Sequence, residues 1–405
     1  MFPTDSVAVF AEGTFEEQTQ ELVNYVVRSR SDEERAAFIR PFQDALKTAD
    51  GAKPLDEDAE RKRKILNMLL VQVKTLGDGN EKEIEGFFNL IYAHLFNLYD
   101  IASPELAQLI SGLVETISSA PSASPVIKQR ILHNLFNAIP HRSSLRLAVY
   151  KSRLALAVQQ GDLQAVLPSD RATVEKWLSE WDISTEQKSA LLKSISDAYA
   201  AADESTASYE YQLSYVRSLP STTPEAKTAA VEAIATALRL PTVFDFDQLF
   251  KLDAVVAAKG HELFSLLHIF LNDGLSEYKS WESSHAAVLE QHKLDKVQLE
   301  RKIRLLSLAS LGFQHIGHDL PYSTIAETLQ VESSQVEKWV IDVVRVGLIS
   351  GKLSQTTHTL HITRASARTF QLEEWKALEK RAVAWKAGLA TVLEVIANAR
   401  RSAGN

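Results

Sequence analysis

RKIRLLSLASLGFQHIGHDLPYSTIAETLQVESSQVEKWVIDVVRVGLISGKLSQTTHTLHITRASART (residues 301–369) changes its hydrophobic period along its length, and the order of those changes specifies a winged helix. Its opening run, with Leu299 just upstream, puts Leu299, Ile303, Leu306 and Leu311 mostly on one helical face, the spacing of a helix with one buried side. Leu320 to Tyr322 reads as a short extended segment, since Pro321 is tolerated only at a strand edge or start. Ser323 or Thr324 is then placed to cap a helix from Ile325 to Leu329. After a turn at Glu332 and Ser333, Val336, Val340 and Val343 recur at i, i+4 and i+7. Trp339 and Val344 widen that stripe, and Gly347 stands where the helix should stop. From Leu348 to Leu353, and from Thr359 to Arg364, the period is two. Leu360 and Ile362 alternate with His361 and Thr363, and the polar loop Ser354 to His358 joins the pair as a hairpin.

A winged helix that reads DNA lays its third helix in the major groove, where Lys and Arg must neutralise phosphates. Here Glu332, Glu337 and Asp342 outnumber Lys338 and Arg345, so that helix would be repelled. The exposed helix faces and the unpaired edge of a two-stranded wing, with Leu360 and Ile362 on it, are therefore expected to meet proteins.

Downstream, Trp375, Leu378, Ala382, Trp385, Leu389, Val392 and Ile396 follow one another at spacings of 3, 4, 3, 4, 3 and 4. This heptad seam runs through a proline-free stretch that contains one glycine, Gly388. Such a seam requires a helical partner; its two tryptophans are typical interface anchors. A bundle with helices of other subunits is the expectation, and packing back onto the chain's own helices is the alternative.

The remaining composition bounds the class. With 405 residues, 45% of them hydrophobic, the chain can bury a large core and is long enough for two or three domains. The absence of cysteine removes disulfides, thiolate metal sites and cysteine nucleophiles. A net charge of −8 argues against broad binding to nucleic acid or acidic membranes. The acidic first twenty residues, with Asp5, Glu12, Glu16 and Glu17, lack a signal-peptide order, and no run of 18 apolar residues exists. A soluble, cytoplasmic protein without a membrane partner is expected.

From Thr14 to Glu300 amphipathic helices follow one another, punctuated by caps. Thr14 with Glu17, and Ser31 with Glu34, match capping boxes; Ser103-Pro104, Ser124-Pro125 and Thr223-Pro224 put proline at the first helical position. Segments such as Ile84 to Tyr99, Val126 to Ile139, Leu145 to Gln159 and Gln187 to Ala200 each carry an apolar face and are too short to be stable alone. Stacked helix pairs, an all-α solenoid, satisfy them. The expected division is a helical-repeat array over 1–205, a second helical part over 206–300, the winged helix over 301–370, and the heptad helix and tail over 371–405. Loops at Asp50 to Glu60 and Gly77 to Asn80 suggest a less rigid first hundred residues, whereas Leu240 to Asp247 reads as a structured connection.

No chemistry emerges. There is no G-x-S-x-G, H-E-x-x-H or G-x-G-x-x-G. Gly347 to Lys352 resembles a phosphate loop but is one residue short and has Leu353 where Ser or Thr should follow. His315 with His318, and His358 with His361, lack a third metal ligand, and His133 and His141 read as capping or core residues. Arg61 to Lys64 is balanced by neighbouring acids and reads as a solvated helix start. Catalytic, cofactor-binding and metal sites are all expected to be absent.

ILHNLFNAIPHRSSLRLAVYKSRLALA from Ile131, WLSEWDISTEQKSALL from Trp177, FDFDQLFKLDAV from Phe244 and VEKWVIDVVRVGLISGKLSQ from Val336 occur in an order that resembles the PCI-domain family. That plan is shared by the proteasome lid, the COP9 signalosome and eukaryotic translation initiation factor 3, and the likeness is greatest to the initiation-factor branch. The match spans roughly Ile131 to Phe370 and is loose over the first hundred residues. It implies a noncatalytic scaffold subunit that joins other PCI subunits and MPN subunits of the factor, and through them the small ribosomal subunit. In that family the winged helices associate side by side and C-terminal helices form a bundle. Two rival readings are a subunit of a related PCI complex and a nucleic-acid binder using Arg301, Lys302 and Arg304.

Overall fold

The structure, a computed structural model, describes residues 13–48, 53–121, 124–167, 171–369 and 372–403. The acidic start through Glu12 and the Asp50 to Ala52 part of the expected loop lie outside the described residues. The chain divides into two compact units, Met1–Glu204 and Ser205–Asn405.

In the first unit, α1 (Phe15–Val26) and α2 (Asp32–Leu46) start at the expected capping boxes. The Glu17 carboxylate accepts from the Thr14 N–H at 2.8 Å, and that of Glu34 accepts from the Ser31 N–H at 3.2 Å. α3 (Ala59–Leu70) and α4 (Glu81–Leu98) follow; α5 (Pro104–Ser119) and α6 (Pro125–Ala138) both begin on proline. α7 (Leu145–Gln160), α8 (Arg171–Glu180) and α9 (Thr185–Ala201) complete it. α6 packs on α4 and α7, while α7 also packs on α5 and α9. Helices thus cover one another's apolar faces, which is how short amphipathic helices gain stability they lack alone. The Gly77 to Asn80 loop is held down, because Tyr25 donates to the Leu76 carbonyl at 2.9 Å and stacks on Phe87 at 4.4 Å.

The second unit begins with α10 (Ser205–Ser218) and α11 (Pro224–Arg239). The short α12 (Asp247–Phe250) and α13 (Asp253–Ala257) lead to α14 (Glu262–Asn272), α15 (Leu275–Ser284) and α16 (Ala286–Gln291). α17 (Lys296–Gln314) is shared between two cores. Its Leu299, Ile303 and Leu306 join the core that contains Ile234, Leu267, Phe270 and Tyr278. Leu305 and Leu308 point to the winged-helix core.

That module contains β1 (Asp319–Pro321), α18 (Tyr322–Leu329), α19 (Val336–Arg345), β2 (Ile349–Ser354) and β3 (Thr359–Ala365). Val336, Val340 and Val343 are fully buried, each contributing about 1.5–3 kcal/mol. Gly347 ends α19 with φ +84°, a conformation glycine reaches without cost. Two expectations change. α18 begins at Tyr322, with Pro321 before it, so Ser323 and Thr324 lie inside the first turn; the Tyr322 N–H is tied to the His358 carbonyl at 2.9 Å, which sets the start. The hairpin is also joined by β1, giving an antiparallel sheet of order β1-β3-β2. β3 is therefore the central strand, and the phosphate-loop-like run leads from the end of α19 into β2, with a bulge between Ser350 and Gly351.

Helix C-termini expose carbonyls with no partner in their own helix, and in this chain a cation from another helix repeatedly meets them. Nε of Arg63 donates to the Leu98 carbonyl at 2.7 Å, Nζ of Lys128 to Ser118 at 2.9 Å, and Nε of Arg146 to Ile139 at 2.9 Å. Nε of Arg304 does the same at Leu329, 3.1 Å away. Arg61 reaches the Ala45 carbonyl at 2.7 Å and that of Lys47, and Lys62 pairs with Asp56. The basic run 61–64 is thus largely engaged within the fold. These contacts favour the cation electrostatically through the helix dipole.

Candidate partner interface

After β3 the chain is clasped. Arg368 is half-buried: its Nε donates to the Leu306 carbonyl at 3.0 Å, Nη1 to the Asp273 carbonyl at 2.6 Å, and Nη2 to the Ser307 hydroxyl at 3.1 Å. Burial lowers its pKa to about 10, so it remains charged at neutral pH. α20 (Leu372–Ala403) then runs for 32 residues, about 48 Å at 1.5 Å per residue.

The seam residues are all on this helix, and all are exposed. Trp385 is 72% exposed and Trp375 59%; Leu378, Leu389, Val392 and Ile396 lie between 45% and 54%. They share one helical seam, as their heptad spacing requires. The alternative in which the seam packs on the chain's own helices is not what the structure contains. Sequence reading missed Leu372, Val383, Leu393 and Val395, which are exposed as well. Leu393 and Val395 occupy positions that flank the seam in heptad notation, a signal that was available: a stripe this wide suits several neighbouring helices better than one. By length and composition Leu378–Ala399 could also cross a bilayer. Yet it contains Glu379, Lys380, Arg381, Lys386 and Glu394, and a charge at the bilayer centre costs about 2.5–3.5 kcal/mol.

The wing residues are placed differently. Leu360 is 1% exposed and Ile362 0%, because β3 is paired on both sides and turns these side chains into the core with Leu305, Ile325 and Val340. Neither offers a side-chain surface to a partner. The free edge with length is β2, which carries half-exposed Leu353; Ile341 and Val344 of α19 are exposed nearby in sequence.

The three cations that a nucleic-acid reading needs are engaged within the protein. Arg301 pairs with Asp342 at 3.2 Å, and Arg304 pairs with Glu300 at 2.9 Å and lies 5.3 Å over the Trp339 ring. Lys302 is buried with its Nζ on the carbonyls of Ala237 and Leu240. Burial lowers its pKa to about 7. Only Arg301 keeps substantial solvent exposure, and it is paired with an acid.

Elsewhere the titratable groups serve packing. His361 pairs with Asp319 across β1 and β3 at 2.7 Å, His315 contacts the Leu311 carbonyl, and His133 contacts Asn137. Among the described residues no group of three or more His, Asp or Glu could hold a metal ion. An open groove of about 500 Å³ between α5 and α7 is lined by Ser111, Glu115, Ser118 and Ser152. Two of the sequence segments that resemble the PCI family meet in one cluster. Phe136, Tyr150, Trp177 and Trp181 have ring centroids 5.7–6.3 Å apart, and the Arg146 guanidinium lies 4.4 Å over Phe136.

Comparison with known families gives two matches, a PCI domain over residues 278–364 and a model described as eIF3 subunit M, C-terminal helix, over residues 368–396. The second begins at Arg368 and covers the whole exposed seam. Among relatives, the eukaryotic translation initiation factor 3 subunit M of Phaeosphaeria nodorum is 33% identical, over 97% of this chain and 89% of its own length. That of Aspergillus oryzae is 31% identical over 98% and 88%, and that of Coccidioides immitis 30% over 97% and 88%.

Proposed function

This chain belongs to the eukaryotic translation initiation factor 3 subunit M family, and from that premise we propose that it is a noncatalytic, cytoplasmic scaffold subunit of the factor. It joins other PCI and MPN subunits and, through the assembled factor, supports preinitiation complex formation on the small ribosomal subunit. The observation that carries this reading is the exposed seam of α20, with Trp375, Leu378, Trp385, Leu389, Val392 and Ile396 all open to solvent. An apolar stripe of this length needs a protein partner, and its heptad spacing suits helices of other subunits in that role. The β2 edge and the exposed face of α19 are proposed as a second contact, since an unpaired strand invites augmentation. Direct RNA contact through Arg301, Lys302 and Arg304 finds no support in their engaged side chains.

Affinity purification of the tagged full chain, with mass spectrometry of what survives a moderate salt wash, tests the reading. Recovery of initiation-factor subunits together with small-subunit ribosomal proteins is expected. Recovery of signalosome or proteasome-lid subunits in their place would overturn the pathway and keep the fold.

A further inference from the structure

An exposed helix can serve an assembly only if it points the right way, and α20 is held at two places, one just before it begins and one within its N-terminal third. The first is Arg368, in the short connection after β3, whose guanidinium spreads over the Leu306 and Asp273 carbonyls and the Ser307 hydroxyl. These groups belong to α17 and the end of α14, so the connection is fixed to the helical core. The second is Arg381, nine residues into α20, about 14 Å along its axis. Its Nη2 donates to the Phe313 carbonyl at 2.6 Å, and its guanidinium lies 4.9 Å from the Phe313 ring centroid. Phe313 is in the last turn of α17, where orphan carbonyls favour a cation. Arg381 alone among the described side chains of α20 is not exposed.

We propose that Arg381, backed by Arg368, is a positioning residue that fixes the direction in which α20 leaves the winged-helix module, so that the seam meets its partner helices already oriented. This rests on the reading of α20 as the partner-binding helix. One anchor would leave the helix free to swing in a cone, whereas a fixed entry point and a second anchor about 14 Å along the helix define a line. Arg381 adjoins the seam residue Ala382 yet leaves Leu378, Trp385 and Leu389 uncovered, so the clamp costs the interface none of its apolar area. A pre-oriented helix loses less orientational freedom on docking. Lysine is a poor substitute, since the contact uses a planar guanidinium both as donor and as a face against a ring.

The full chain has no cysteine, so two spin labels can be introduced cleanly, at Lys338→Cys on α19 and Ala390→Cys on α20. Pulsed dipolar spectroscopy on the isolated chain should give a narrow distance distribution, broadened at least about twofold by Arg381→Ala and to a lesser extent by Arg381→Lys, with far-ultraviolet helicity unchanged. Affinity of Arg381→Ala for the remaining subunits should fall roughly tenfold, the loss expected when ordering must accompany docking. A distribution equally narrow with and without Arg381, or already broad with it, would overturn the proposal. Trp385→Asp separates the two readings: it should abolish assembly while leaving the distance distribution unchanged. If it assembles normally, the partner role of α20 fails, and the distance measurement still decides what Arg381 does.

Discussion

Lys302 donates from Nζ to the carbonyl oxygen of Leu240 at 2.6 Å, across 62 residues of sequence. The same ammonium reaches Ala237 at 2.6 Å and lies 5.1 Å from the Phe246 ring centroid. It closes the C-terminus of α11 from α17, and it explains why Leu240 to Asp247 is an ordered connection. No carboxylate accompanies it; the carbonyls and the ring face favour the charged form while burial opposes it.

Lys302→Met should therefore destabilise the second unit by about 2–3 kcal/mol, because it leaves buried carbonyls without a donor while keeping most of the aliphatic volume. Urea unfolding of the full chain followed by circular dichroism measures this. A shift under about 0.5 kcal/mol, the range of ordinary surface changes, would show that the cap is dispensable.

His94 is buried in the first unit, edge-on to Phe15 at 5.1 Å, and burial first, then the Lys62 charge, lower its pKa to about 4. The unfolded chain takes up this proton near pH 6.5 and the folded chain only near 4. Between those values the unfolded state binds more protons, so stability falls as the pH drops, by at most about 1.4 kcal/mol per pH unit from this group. Urea midpoints between pH 7.5 and 4.5 should show that loss, and His94→Phe should remove this part of it.

Tyr25 lies so close over the loop after α3 that a Cβ on Gly79 would come within 2.9 Å of the ring and of its hydroxyl. Gly79→Ala should cost about 1–3 kcal/mol by overpacking. In a Tyr25→Ala background the same substitution should cost much less, and a double-mutant cycle on thermal unfolding reads the difference.

Trp385→Asp should leave helicity and unfolding within about 0.5 kcal/mol of wild type, since the side chain is 72% exposed. Recovery of the other initiation-factor subunits with the tagged chain should be lost. Leu360→Arg behaves in the opposite way. Its side chain is 1% exposed, so a charge there should unfold the winged helix by several kcal/mol, and any loss of assembly would follow from that.

Local and periodic features can be read from the order of residues. Thr14 with Glu17, the prolines at 104, 125 and 224, the valines of α19, the strand alternation around Leu360 and the seam from Trp375 to Ile396 depend on neighbours within a few residues or a few turns, and each was legible. Which of these features is buried and which is left on the surface emerged only from the packing. β1 pairs with β3 across about forty residues, and that pairing moves Leu360 and Ile362 from an expected edge into the core. Arg301, Lys302 and Arg304 form one basic run in sequence, yet Asp342, the end of α11 and Glu300 with Leu329 divide it among three internal contacts. Arg368 finds the Asp273 carbonyl 95 residues away, and Arg381 that of Phe313 68 residues away. Arg301 is held by a carboxylate, but Lys302, Arg368 and Arg381, and in part Arg304, rest on backbone carbonyls brought to them by helix packing. Every residue carries such a carbonyl, so no side-chain pattern announces which one will be left unpaired beside an arginine until the helices have packed.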